Sequence, residues 1–147
     1  MRGALLALRF ALTAPYTLVG LLWGLAWGGR LHSHPGCFIE CSGMRGGYPR
    51  AGITIGSLWL CGELNDERRL RHEAVHATQW AIFGPLLPPL YWIAEAIYPH
   101  AKNPFERWAG LRDGGYIPGC DHGVPSDVSW PNFLDYAGLL ARMTGWL

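Results

Sequence analysis

Two imidazoles four residues apart, with a carboxylate directly after the first, are the part of this chain best suited to chemistry: His72-Glu73-Ala74-Val75-His76. On an α-helix, residues four apart lie one turn apart on the same face. Both rings can then reach one metal ion, and the helix fixes their separation before any metal arrives. Zinc suits such a pair, because it takes imidazole nitrogen at about 2.0–2.1 Å in a tetrahedron. Glu73 is rotated by about 100° from His72, so its carboxylate stands beside the ion without binding it. There it can act as a general base, taking a proton from water that the metal acidifies towards a pKa of ~7 and returning it to a leaving amine. With six His and six Glu in 147 residues, the pattern would arise by chance in about one such sequence in a hundred. The competing reading is a solvated helix whose two surface His lie near Arg68, Arg69 and Arg71.

Two His are too few for a catalytic zinc site, which takes three protein ligands and leaves one position open. In the gluzincin group of zinc peptidases the third ligand is a Glu on a later helix. Glu106 follows His76 by 30 residues, room for the rest of the helix, a turn and a second helix. A different role competes for the same carboxylate. Asn103 as cap, Pro104 at the first helical position and Glu106 at the third would form a capping box. The ligand role is preferred, since Glu106 alone among the acids opens a later helix in this way, and Glu95 is the alternative ligand. Gln79 is placed to support a ligand from behind. His32, His34 and Cys37 suggest a second, less defined metal cluster in a loop. Tyr91, Tyr98, His100, Arg107 and His122 are candidates for an oxyanion donor.

These residues need a scaffold. The helix carrying the motif should begin at Asn65 or Asp66, have acids in its first turn, and end near Phe83 at Gly84-Pro85. Residues 32–36 read as a loop and 37–41 as a short strand. After a Gly-rich turn, 53–61 alternates like a second strand, paired with the first. Pro85, Pro88 and Pro89 interrupt the apolar stretch 85–98, which suits a re-entrant, interfacial or core helix better than a spanning one. A short helix opens at Asn103 and stops at Gly114-Gly115, and a last helix follows Asn132.

Phe10 to Trp27 is an 18-residue run without a charge, the lower length for a transmembrane helix. Gly20, Gly24 and Gly28 share one face, as in membrane helices that approach closely. A membrane anchor is preferred to a cleaved signal peptide or a buried core helix. The run is long for a signal sequence, and Trp27 fits poorly at a cleavage site. Charges on its two sides are too even to orient it. The four cysteines, Cys37, Cys41, Cys61 and Cys120, allow two disulfides without requiring them. A formal net charge of +1 and scattered Arg argue against a nucleic-acid partner.

His72-Glu73-x-Val75-His76-x-x-Gln79-Trp80, then Gly84-Pro85, then Asn103-Pro104-Phe105-Glu106 resembles a family of small uncharacterised bacterial membrane proteins with a zincin-like core. Pro15-Tyr16-Thr17 and the Gly-rich apolar helix are similar too. The resemblance covers roughly residues 14–109. It implies a Zn2+ site on His72, His76 and Glu106, with Glu73 as base, at the bacterial inner membrane, and it supplies no substrate. The expected architecture is α+β: a membrane helix over 1–30, a minimal zincin-like domain over 31–115 with a β-hairpin and the metal helices, and a tail over 116–147 with one helix. The expected function is a membrane-anchored zinc metallopeptidase acting on peptide or protein. The alternative is a non-catalytic subunit of a membrane protein complex that keeps a structural or vestigial metal.

Overall fold

A computed structural model of the chain describes residues 2–48, 52–62 and 67–116. The cap expected at Asn65 or Asp66, Cys120, His122 and the helix after Asn132 lie outside these residues. The fold is mixed α+β. Helix α1 (Arg2–Ala26) is followed by four strands: β1 (Arg30–His34), β2 (Phe38–Ser42), β3 (Ile53–Ile55) and β4 (Leu58–Leu60). Helices α2 (Glu67–Phe83), α3 (Leu87–Ile97) and α4 (Pro104–Ala109) complete it, with single 3-10 turns before α3 and α4. The strands form one sheet in the order β1-β2-β4-β3. β1 and β2 are antiparallel, β2 and β4 parallel, and β4 and β3 antiparallel.

Two sequence expectations are corrected here. Residues 32–34, read as part of a loop over 32–36, belong to a strand: β1 pairs with β2 along its whole length. Its two His, read as loop residues, therefore alternate with Leu31 and Ser33 along a pleated strand. Residues 53–61, read as one strand, are a hairpin that turns at Gly56-Ser57. Gly56 has φ +66°, and a Cβ there would lie 2.4 Å from Thr17 Oγ1. Only glycine fits a turn pressed this closely onto α1. Thr17 Oγ1 accepts the Ser57 N–H at 2.9 Å, and Thr13 Oγ1 meets Ser57 Oγ at 2.7 Å. Two buried hydroxyls thus bind the turn to the helix.

The sheet lies between two helices. Cys41, Leu58 and Leu60 face α1. Phe38, Trp59 and Cys61 face Ala77, Leu70 and Ala74 of α2. The glycine stripe of α1 serves this packing and not a second membrane helix. A Cβ on Gly24 would lie 2.6 Å from Cys41 Sγ, one on Gly20 3.0 Å from Leu58, and Gly28 lies beyond the helix end. Cys41 and Cys61 occupy opposite faces, so they do not pair; with exposed Cys37, all three described cysteines are free. Nearer its start, α1 meets α2, where Arg9 donates to the Ala74 carbonyl and Thr78 Oγ1 at 3.4 Å each.

The outer side of α1 remains apolar and exposed, including Leu8, Leu12, Val19, Leu22 and Trp23. This helix is long and apolar enough to cross a membrane. Helix α3 has 11 residues, about 16 Å at 1.5 Å each, too short to do so. Its prolines fall in the preceding turn and in its own first turn, where a missing N–H leaves no bond unmade.

Candidate metal centre

His72 and His76 lie on one side of α2 as their spacing predicts, with their Nε2 atoms 3.1 Å apart. Helix α4 brings Glu106 to the same point: Oε2 is 3.0 Å from His72 Nε2, and Oε1 is 3.6 Å from His76 Nε2. Ligand atoms at 2.0–2.1 Å from one ion in a tetrahedron would be about 3.3 Å apart. The three side chains therefore frame a space of the right size for a metal ion, and among the described residues this is the one group of His, Cys, Asp and Glu that does. Glu106 Oε2 is buried and accepts no hydrogen bond, an anionic oxygen with a coordination position to fill.

The outer nitrogens give the same picture. His72 Nδ1 is 3.0 Å from the Gly110 carbonyl, and His76 Nδ1 is 2.8 Å from Gln79 Oε1. Gln79 Nε2 donates to the Phe105 carbonyl at 2.9 Å, which fixes which end of the amide faces His76. Both partners of the rings are acceptors, so each Nδ1 carries the proton. In a neutral ring, Nε2 is then a lone pair aimed at Glu106. Two lone pairs and a carboxylate facing one another require a cation between them. Without a metal, a proton fills that role. Burial alone would depress His76, but the adjacent Glu106 carboxylate and the charge of Glu73 push it up to about 9. Burial would likewise raise Glu106, but the adjacent rings of His72 and His76, the charge of His76 and the hydrogen bond from Tyr91 hold its carboxyl well below the usual range.

Glu73 stands next to the centre without joining it, and Thr54 Oγ1 of β3 donates to its Oε2 at 2.7 Å. Strand β3 is itself tied to α2, because Trp80 Nε1 donates to the Thr54 carbonyl at 2.8 Å. One side of the motif helix therefore carries the two imidazoles, while the sheet orients the carboxylate between them in sequence.

The position of α4 resolves the competing roles of Glu106. Asn103 Oδ1 accepts the Phe105 N–H at 3.0 Å, so Asn103 caps the helix as expected. Its own N–H, which a capping box would give to Glu106, instead donates to the His100 carbonyl at 2.9 Å. Glu106 is thereby released for the centre. Glu95, the alternative ligand, is not at the centre: it accepts from Asn103 Nδ2 at 2.8 Å and from the His100 N–H at 2.9 Å. It holds the cap that aims Glu106.

Of the proposed oxyanion donors among the described residues, only Tyr91 reaches the centre, where its hydroxyl donates to Glu106 Oε1. Burial and the Glu106 charge push that phenol well above its ordinary value, so it remains a donor. Tyr98, His100 and Arg107 are exposed. The sequence reading missed Thr54, the Gly110 carbonyl and Tyr116. The Tyr116 ring lies 6.3 Å from that of His72, and burial and Glu106 raise its phenol pKa. The chain reaches this point because residues 110–116 fold over His72. A Cβ on Gly114 would be 2.6 Å from His72 Cε1, and Asp113 pairs with Arg71 at 3.3 Å. The consecutive glycines marked an end to the helix but carried no sign that the turn would close on His72. His32, His34 and Cys37 do not form a second metal cluster.

No family model, curated protein or solved structure matches this chain. The chemistry of the centre rests on its own geometry.

Proposed function

We propose that the chain is a membrane-held zinc metallohydrolase of the peptidase type, with His72, His76 and Glu106 as ligands and Glu73 as general base. The observation that carries this reading is the separation of roles around the centre. Three ligand atoms converge, and a fourth ionisable side chain, Glu73, stays outside on its own hydrogen bond to Thr54. A purely structural zinc site would take four protein ligands. Two imidazole nitrogens and one carboxylate are donors that suit zinc.

Bound zinc would supply Lewis-acid polarisation of a carbonyl and acidify water. The protein residues would do the rest. Glu73 would accept the proton of the attacking water and deliver it to the leaving nitrogen. Thr54 would hold the Glu73 carboxylate in place between the two transfers. Tyr91, fixed on Glu106, would keep that ligand oriented. Helix α1, with its exposed apolar side, would hold the centre at a lipid bilayer.

A second reading draws support from burial. The side chains of His72 and Glu106 are only 4% exposed, which suits a metal that braces α2 against α4 in a non-catalytic subunit of a membrane complex. Metal analysis and peptide hydrolysis by the detergent-solubilised chain separate the two. The first reading expects one zinc per chain and a Glu73→Gln variant that keeps its metal while losing about 10²–10⁴-fold in rate. Hydrolysis that survives Glu73→Gln would overturn the peptidase assignment. Full metal loading of the wild type without hydrolysis of any peptide would favour the brace.

A further inference from the structure

A second polar cluster lies on the sheet, away from the metal centre. Strand register pairs Arg30 with Ser42, His32 with Glu40 and His34 with Phe38, which puts Arg30, His32, His34, Glu40 and Ser42 on one face. Phe38, at the far end of that face, packs under α2, but β1 remains largely exposed. With Arg45, the polar members line a cleft of about 560 Å³ whose walls include Gly28 and Gly43. That volume is in the range of small-molecule sites.

The charges in this cleft are unbalanced. Glu40 is 2% exposed and is held by His34 Nε2 at 2.8 Å, so its carboxylate is already engaged. Arg30 and Arg45 make no ion pair among the described residues. Arg45 is nevertheless placed. Its N–H donates to the Trp27 carbonyl at 3.1 Å, and its guanidinium lies so close to Gly28 that a Cβ there would be 3.2 Å from Nε. The loop is fastened further on, where Trp23 Nε1 donates to the Gly47 carbonyl at 2.7 Å.

We infer that this cleft binds a phosphate group between the guanidiniums of Arg30 and Arg45. Arginine forks match phosphate oxygens in geometry and charge. A metal ion is the poorer occupant: His32, His34 and Glu40 do not converge, and two guanidiniums would repel it. The phosphate can belong to a lipid headgroup or to a soluble ester. The cleft adjoins the end of the apolar helix, next to exposed Trp23 and Trp27, the level at which interfacial tryptophans sit.

Calorimetry on the full chain in neutral detergent tests this, with inorganic phosphate, short-chain phosphatidylglycerol and short-chain phosphatidylcholine as probes. The expected result is saturable one-to-one binding of inorganic phosphate, of phosphatidylglycerol, or of both, weakened at least about tenfold by Arg30→Gln or Arg45→Gln, the loss of one charge-assisted contact. Binding of phosphatidylglycerol alone assigns a lipid source, and binding of inorganic phosphate assigns a soluble one. Phosphatidylcholine binding as tightly as phosphatidylglycerol, no saturable binding, or binding unchanged in the double variant overturns the inference. So does a second equivalent of zinc that His32→Ala removes. Phenylglyoxal labelling of the wild type provides a check that needs no variant: the bound probe should protect Arg30 and Arg45, and unprotected labelling counts against the site.

Discussion

His76 holds its proton up to about pH 9 because Glu106 and Glu73 outweigh the effect of burial. Its pKa in the unfolded chain is about 6.5. A group whose pKa rises on folding stabilises the fold fully below the unfolded value and loses that contribution as the pH passes the folded value. The metal-free protein should therefore lose stability between about pH 6.5 and 9, measurable as a falling thermal midpoint after chelation. A metal must displace the same proton. Zinc affinity should increase with pH up to about 9, with release of about one proton per zinc at pH 7, read by calorimetry in buffers of different ionisation enthalpy. Gln79 makes a separate prediction. It fixes the His76 tautomer and bridges to Phe105, so Gln79→Ala should weaken zinc binding by about 10–100-fold. An unchanged affinity would show that the ring needs no such support. At this scale the two His were legible because helical spacing alone brings them together. Thr54 and Tyr116 were not, because nothing local links the one to Glu73 or the other to His72.

Helix α4 shows how a short element can decide a site. It has six residues, too few to be stable alone, so its cap and its packing must hold it. Asn103 is fully buried, with Glu95 on its amide nitrogen and the Phe105 N–H on its oxygen. Asn103→Ala should cost about 1 kcal/mol or more in stability through the lost cap and should also weaken zinc binding, because Glu106 lies in the first turn that this cap holds. A stability loss with unchanged metal affinity would separate the cap from the centre. Helix α1 offers a steric test. Gly24→Val would drive methyls into Cys41 and Leu60 and should destabilise by about 1–3 kcal/mol, whereas Gly3→Ala, with nothing within 4 Å of the new Cβ, should change little. Chemical denaturation of both variants measures the difference. The sequence showed the glycine spacing but not which surface it would meet.

In the whole molecule, the sheet separates α1 from the body of α2, while the centre lies where α2, α4 and the 110–116 turn meet. The outer side of α1 is apolar and exposed. Leu22, 64% exposed, lies on that side, so Leu22→Arg should lower recovery in the membrane fraction while leaving zinc binding intact. A charge in apolar lipid costs about 2.5–3.5 kcal/mol on insertion scales. Equal membrane recovery of the variant would show that this side does not face lipid.

The sequence by itself determined what depends on neighbours along the chain: the helix that aligns His72 and His76, the apolar run of α1, the Asn103 cap and the Pro104 start of α4. It preferred the ligand role of Glu106 with a capping box still competing, read one strand where there are two, and gave the glycine stripe to a membrane partner. Tertiary structure decided each of these through groups distant in the chain. The His100 carbonyl takes the Asn103 N–H and frees Glu106, Thr17 takes the turn at Ser57 and folds the hairpin, and Cys41 and Leu60 occupy the space above Gly24. A hydrogen-bond donor or an empty glycine surface can be satisfied by many partners, and only the folded packing selects one.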